Sequence, residues 1–362
     1  MEGKLSEAYR KAGVDVKAED EALRKVVEEC HKTFSFREGP GKPVIPIANF
    51  AGIVTLTGNK GLAVKTDGVG TKVFIAQLMD KYDTVGIDCV AMNVNDLICL
   101  GAEPITFIDY IALQKPDSRL LHELAKGLVK GAEQAGVTIV GGEIAQLPEM
   151  IRGQREGFGF DLVGMAVGLL DLDKIIDGRN ISEGDVVIGL ESSGIHSNGL
   201  TLARKILLEE AGLNLHEPAE GLDKPLGEEL LTPTRIYVKE VLSMLRAGLK
   251  IKGMAHLTGK GILNLGRVGP TCGYLLEWLP EPQPIFKLIQ KLGKLPDSEM
   301  YQVFNMGVGF CLVVEKEDAE EALSLAEKQG LKAWILGKAV RDPERKIVLK
   351  PKGLTAIGGR FI

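Results

Sequence analysis

Apolar positions recur along the chain with two periods, and together they outline a mixture of helices and strands. Leu23, Val26, Val27 and Cys30 fall at i, i+3, i+4 and i+7, which predicts a helix over 21–32. Gly39-Pro40-Gly41-Lys42-Pro43 then interrupts regular structure, as a loop over a ligand or a plain connector. The run Leu62-Ala63-Val64 predicts a strand over 61–66 that ends at Asp67. From Val85 to Leu100 apolar side chains cover most of a helical circumference, so a deeply buried helix capped by Asp83 or Thr84 is expected. Asp88, Asn95 and Asp96 lie inside it and need partners, because an unpaired buried carboxylate is costly. Gly101 and Pro104 stop that helix.

Further along, 104–113 reads as a strand containing Asp109. A helix capped by Asp117 or Ser118 follows, with Leu121, Leu124, Leu128, Ala132 and Ala135 as its stripe and Gly136 as its stop. Val137 to Val140 predicts a short strand running into Gly141-Gly142-Glu143, and 161–169 a further strand. The polar stretch 170–184 marks a domain boundary, giving domains 1–171 and 172–362. The second half restarts with a strand at 185–190, a loop at 191–199 and a helix to Ala211. Thr232-Pro233 has the form of a helix cap followed by an N1 proline. A loop over 253–261, a strand over 310–314, a helix over 318–329 and a strand over 333–336 complete the pattern. Strands and helices alternate without strict βαβ units, so the fold class expected is α+β.

Composition narrows the partners. The 362 residues suit one large or two ordinary domains, and 45% are hydrophobic, enough for a sizeable core. A net charge of −5 argues against nucleic acid as a partner. The five cysteines lack C-x-x-C spacing, and all but Cys30 sit in apolar contexts, as reduced thiols do. No apolar run approaches the roughly 20 residues of a membrane span, and no signal-peptide core follows Met1. The expectation is a soluble cytoplasmic protein.

The candidate chemistry lies in three carboxylates and one loop. Asp67, Asp96 and Glu143 stand at the ends of predicted elements, two of them beside glycines. Such a set suits Mg²⁺, which takes one or two carboxylates together with phosphate oxygens and water. Lys72 is placed to neutralise a transferred phosphoryl group. The competing reading makes each an ordinary cap or ion-pair partner. No Walker A loop is present: Gly68 to Lys72 is too short, and in the stretch from Gly253 to Lys260 Gly261 stands where Ser or Thr belongs. No clean G-x-G-x-x-G follows a strand, and no G-x-S-x-G elbow is visible. Ser193-Gly194-Ile195-His196-Ser197-Asn198-Gly199 lies between a strand and a helix N-terminus, where free N–H groups attract anions. His196 there is either an acid, base or phosphate-handling group or a histidine on a surface capping loop. His256 has the weaker case.

At these residues the chain resembles the phosphoribosylformylglycinamidine cyclo-ligase family. The likeness is carried by Thr66-Asp67-Gly68-Val69-Gly70-Thr71-Lys72, Asn95-Asp96, Gly101-Ala102-Glu103-Pro104 and Gly141-Gly142-Glu143. It continues through 192–199, Leu231-Thr232-Pro233-Thr234-Arg235, His256-Leu257-Thr258-Gly259 and 304–309, and begins at Ala12-Gly13-Val14-Asp15. Departures fall at Ile47-Ala48-Asn49-Phe50-Ala51-Gly52, where the family has a glycine-rich lid, after Glu143, and at Lys260. The resemblance implies ATP-dependent closure of the imidazole ring of 5-aminoimidazole ribonucleotide from formylglycinamidine ribonucleotide. It implies that Asp67, Asp96 and Glu143 hold Mg²⁺ and ATP, with Gly68, Gly70, Thr71, Lys72, Asn95, Gly141 and Gly142 around the nucleotide. Ser193, Gly194, His196, Ser197 and Asn198 would then face the substrate, with His196, Lys72 and Asp67 catalytic. It also implies a homodimer whose N-terminal sheets form a barrel. Two alternatives remain at this point. One is another Mg–ATP phosphotransferase of the selenophosphate synthetase, hydrogenase-maturation or thiamine-phosphate kinase type. The other is a non-catalytic nucleotide-binding subunit.

Overall fold

The computed structural model describes residues 10, 12–13, 16–46 and 49–362. Val14 and Asp15, most of the polar first fifteen residues, and Ile47 and Ala48 of the expected lid lie outside the described residues.

Among the described residues the α-helices are α1 (Val16–His31), α2 (Lys72–Met79), α3 (Val85–Ile98), α4 (Ser118–Ala135), α5 (Leu200–Arg204), α6 (Leu226–Leu230), α7 (Val238–Arg246), α8 (Pro284–Gly293), α9 (Asp297–Val303) and α10 (Ala319–Lys328). The N-terminal strands are β1 (Gly52–Thr55), β2 (Lys60–Gly68), β3 (Glu103–Leu113), β4 (Thr138–Gln146) and β5 (Phe160–Asp171). They form a five-stranded sheet in the order β1-β2-β5-β3-β4. The remaining strands are β6 (Val186–Glu191), β7 (Ile251–His256), β8 (Cys272–Leu276), β9 (Val308–Val314), β10 (Ala333–Arg341), β11 (Ile347–Leu349), β12 (Leu354–Ile357) and β13 (Arg360–Phe361). These build an eight-stranded sheet in the order β13-β12-β11-β8-β10-β6-β9-β7. The α+β class is as expected.

α3 positions the site. All 14 of its residues are buried, because it packs on the N-terminal sheet and on α4 while its far side meets the second half of the chain. Its contact with α4 depends on glycines: a Cβ on Gly86 would strike the backbone of Leu128. α4 begins as expected, with Asp117 accepting from the N–H of Leu120 at 2.8 Å, and ends at Gly136 with φ 71. α3 has no side-chain cap at Thr84, contrary to expectation.

The N-terminal sheet has two different faces. Ala63, Lys65 and Asp67 of β2 pair with Gly168, Ala166 and Gly164 of β5, on the face that α3 covers. The opposite face carries Val64, Thr66, Val163, Met165, Val167, Ile108 and Tyr110, and no described element of this chain covers it. Met165 and Tyr110 are exposed there.

Three local expectations change. Thr232-Pro233 does not start a helix: 232–237 is irregular and α7 begins at Val238. Its backbone is instead bonded by buried side chains from elsewhere, described below. Gly253 to His256 belongs to β7, not to a loop. Gly141, Gly142 and Glu143 continue β4 rather than following it. Cys89, Cys99, Cys272 and Cys311 are buried free thiols and Cys30 is exposed, as expected.

Candidate active site

β2 delivers Asp67 at its end, and α3 presents Asp96 from across the covered face. The two carboxylates meet at Lys65, whose ammonium lies 3.3 Å from Asp67 Oδ2 and 2.8 Å from Asp96 Oδ2. Asp67 Oδ1 accepts the N–H of Gly68 at 2.9 Å, which fixes the start of the Gly68–Gly70 turn. Asp96 Oδ1 is bonded to Nδ1 of His256, fully buried at the end of β7, at 2.9 Å. Burial raises the Asp67 carboxyl above its ordinary range despite Lys65, and nearby Asp96 adds to this. Burial also presses upward on Asp96, but His256 and Lys65 outweigh it and hold that carboxyl below its ordinary range. The pair therefore combines one firmly ionised carboxylate with one that protonates more readily.

Asn95 ties the cluster to the second half of the chain. Its Nδ2 donates to the carbonyl of Arg235 at 2.9 Å, and its Oδ1 accepts the N–H of Tyr237 at 3.0 Å. Asn93 donates to the carbonyls of Asp67 and Cys89, bracing the end of β2 against α3.

Lys72 sits elsewhere. It is the first residue of α2 and fully buried, donating to Asp88 Oδ1 at 2.8 Å and to the carbonyl of Thr232 at 2.6 Å. Asp88 Oδ1 also accepts from the N–H and hydroxyl of Thr234, at 2.7 and 2.6 Å, and from Ser197 at 3.3 Å. This buried polar knot joins α2, α3, the 192–199 loop and the 232–237 segment through Asp88 Oδ1, while Asp88 Oδ2 is buried without a partner. Burial lowers the Lys72 pKa, and Asp88 offsets this only in part. The ammonium expected beside a phosphoryl group is thus enclosed in protein. Gly70 is exposed, and Thr71 shares a 2.9 Å hydroxyl contact with Thr201 of α5.

The 192–199 loop follows β6. His196 has φ 67, a left-handed backbone that few non-glycine residues adopt and that collects at functional sites. It is buried, not on the surface. Its Nε2 accepts from the N–H of Ser193 at 3.2 Å and faces that of Arg235 at 3.5 Å, so the ring proton belongs on Nδ1. That Nδ1 is buried without a partner, as is Oδ1 of Asn198. Burial pushes the imidazole pKa well below its ordinary value, helped by His256, Lys72 and Arg235, so His196 is neutral. Ser193 donates to the carbonyl of Pro233, and the carbonyls of Gly194 and Ile195 accept from Asn305 at 2.8 and 3.1 Å. Gly309 admits the ring: a Cβ there would collide with His196 and the Tyr237 hydroxyl. The rings of His196, Tyr237, Phe310 and His256 follow one another at centroid separations of 6.5, 5.2 and 6.3 Å, connecting the loop to the Asp96 cluster.

Glu143 does not join Asp67 and Asp96 within one chain. The register places Asp67, Gly164, Asp109 and Gly142 in one row, and a Cβ on Gly142 would strike Asp109 on the covered face. Glu143 pairs with Tyr110, one residue on, and so belongs to the uncovered face of the edge strand. Among the described residues no three His, Cys, Asp or Glu side chains converge as a preformed metal cage. Sequence reasoning assigned no role to Lys65, Thr234 or Tyr237, asked only for a partner for Asp88, and gave little weight to His256. Lys65 carried a readable signal in its two-residue spacing from Asp67 on one strand, and Asp88 in its place within an apolar helix.

Residues 49–170 match the family model described as AIR synthase related protein, N-terminal domain, and 182–350 match that for the C-terminal domain. The chain is 49% identical over 321 residues to a phosphoribosylformylglycinamidine cyclo-ligase of Pyrococcus furiosus, covering 88% of this chain and 91% of the relative. It is 44% identical over 337 residues to that of Methanocaldococcus jannaschii, covering 93% of each. Among solved structures, a thiamine-monophosphate kinase from Stenotrophomonas maltophilia has the same fold, with a TM-score of 0.61 at 17% identity over 89% of this chain and 95% of that one.

Proposed function

The chain belongs to the phosphoribosylformylglycinamidine cyclo-ligase family, and from that premise we propose how its own residues carry the reaction. Formylglycinamidine ribonucleotide and ATP are the substrates; 5-aminoimidazole ribonucleotide, ADP and phosphate are the products. The formyl oxygen is a poor leaving group. Transfer of the γ-phosphoryl group forms a C–O–P link and releases ADP. The amidine nitrogen then attacks the formyl carbon, a C–N bond forms, the C–O bond breaks, phosphate leaves and the nitrogen loses a proton. Little covalent work is left to the protein, whose task is positioning and charge neutralisation.

The observation that carries this reading is the meeting of Asp67 and Asp96 beside the Gly68–Gly70 turn, connected to a loop with unpaired buried polar atoms. Two carboxylates and one ammonium leave the cluster with a formal charge of −1, a donor set that fits Mg²⁺ shared with phosphate oxygens. Mg²⁺ when bound would neutralise phosphate charge. Asp67 and Asp96 would hold it, with Gly68, Gly70 and Thr71 beside the nucleotide. The Nδ1–H of His196 and the Oδ1 of Asn198 are a donor and an acceptor awaiting a polar ligand. We assign them, with Ser193, Gly194 and Ser197, to the substrate side. Lys72 is assigned to support the loops, not to touch phosphate.

We assign 1–171 to nucleotide binding and dimerisation and 172–362 to the substrate loops. The uncovered face of the N-terminal sheet suits pairing with a second copy in a homodimer, which would place Glu143 and its neighbours Gly141 and Gly142 at a site built from two chains. No described helix is long and apolar enough to cross a membrane, and we place the enzyme in the cytoplasm. Incubation with formylglycinamidine ribonucleotide, ATP and Mg²⁺ should yield the aminoimidazole product with one ADP per ring. ADP release without ring closure would point instead to another phosphoryl acceptor.

A further inference from the structure

Lys65 and Asp67 are two residues apart in β2 and share one face of it, because side chains alternate along an extended backbone. The Lys65 ammonium stands between Oδ2 of Asp67 and Oδ2 of Asp96, at 3.3 and 2.8 Å. The other carboxylate oxygens are engaged by the N–H of Gly68 and by His256, so the Oδ2 atoms are the pair free to meet a cation. The Lys65 and Asp67 side chains keep 21% and 33% of their surface open, so the ammonium can leave toward solvent. Its counterpart Lys72 has no such exit, at 0%.

We propose that Lys65 is a displaceable internal counter-ion: its ammonium holds the place between Asp67 and Asp96 that the divalent cation of a metal–nucleotide takes. This rests on the assignment of Asp67 and Asp96 to that cation. An ammonium and a divalent ion cannot share the gap, because like charges a few ångströms apart repel strongly in a partly buried site. A cation arriving alone must therefore displace Lys65 into water. A cation arriving with a nucleotide brings phosphates on which the released ammonium can settle. Cation and nucleotide consequently favour each other's binding, and by linkage the coupling is the same in both directions.

Mn²⁺ followed by electron paramagnetic resonance tests this on the full chain, with and without a non-hydrolysable ATP analogue. In the wild-type chain the analogue should tighten Mn²⁺ binding at least about tenfold. Lys65→Met should bind Mn²⁺ alone at least about tenfold more tightly than wild type and lose most of the tightening by the analogue. Lys65→Arg, which keeps the charge, should behave as wild type. A structural role alone would lower the denaturation midpoint of Lys65→Met and leave its Mn²⁺ affinity unchanged, and that result overturns the counter-ion role while leaving the metal assignment standing. Failure of wild type to bind Mn²⁺ under either condition overturns both. If Lys65→Met does not fold, Lys65→Gln removes the same charge and is read by the same criteria.

Discussion

Asp88 and Asp96 stand about 12 Å apart along the axis of α3, and each holds a lysine that precedes the helix. Their surroundings differ in one respect that separates structure from chemistry. Lys72 and Asp88 are wholly enclosed, with the surrounding hydroxyl and N–H groups all on Asp88 Oδ1 and its Oδ2 buried without a partner. Lys65 and Asp67 keep a side open to water. The two lysines respond oppositely. Burial wins at Lys72 and lowers its pKa, whereas at Lys65 burial also acts downward but Asp96 and Asp67 outweigh it and raise the pKa. A cation that water cannot reach cannot be reached by a phosphate either. Lys72 lies inside the motif that most resembles a phosphate cradle, yet accessibility assigns the open pair to the ligand and the closed pair to the joint between the two halves of the chain.

The sharpest way to break this contrast is to remove one ammonium from the closed pair. Lys72→Met should cost about 3–5 kcal/mol of unfolding free energy, because it leaves the buried Asp88 side chain with its main partner gone. Urea denaturation measures it; a loss below about 1 kcal/mol would mean the knot is not what joins the halves. The open pair should answer in the other currency. Asp67→Asn, at the open carboxylate, should lower turnover about 100-fold with a much smaller change in unfolding free energy. Equal damage to stability in both variants would erase the distinction.

The elements themselves were largely readable. Periodicity predicted a buried α3, and burial of its polar side chains implied partners for Asp88, Asn95 and Asp96, all of which exist. Lys72 and Lys65 stand 16 and 31 positions before their carboxylates, but Thr234, Tyr237 and His256 were not readable as partners, because each lies over a hundred positions away. Thr232-Pro233 has local helix-start chemistry, but Lys72 and Asp88 claim the backbone of 232–234, and that demand overrides propensity. Glu143 was misplaced for a simpler reason. The strand predicted over 137–140 runs on through two glycines, because Gly142 lets the edge strand lie against Asp109. Once β4 includes Glu143, alternation assigns it to the other face from Gly142. His256 was given the weaker case because nothing next to it fixes a role; only the fold brings it to Asp96.

Glu143 gives a finer cut between a site within one chain and a site shared by two. It is exposed on the uncovered face, so Glu143→Gln should change stability by less than about 0.5 kcal/mol. If the second copy brings that face to a nucleotide, turnover should fall about tenfold, with a loss of transition-state stabilisation near 1.4 kcal/mol. Steady-state kinetics with the purified enzyme would show this, and an unchanged kcat would remove Glu143 from the site.

The smallest effect tests whether the 192–199 loop is closed, as the knot is, or open, as the Lys65 pair is. His196 is buried and its folded pKa lies well below 6.5, mainly through desolvation. In the unfolded chain the imidazole takes up a proton near its ordinary pKa of about 6.5. Between those two values the unfolded state binds more protons than the folded one, so stability rises with pH and is lost as pH falls below about 6.5. The slope from this residue alone approaches about 1.4 kcal/mol per pH unit. His196→Asn removes the titration but retains hydrogen-bonding atoms, so its unfolding free energy should decline less steeply than that of wild type from about pH 6.5 to about pH 5. Parallel curves would mean that protons reach the folded imidazole freely. The loop would then belong with the open pair, and its unpaired Nδ1 would be answered by water and need no ligand.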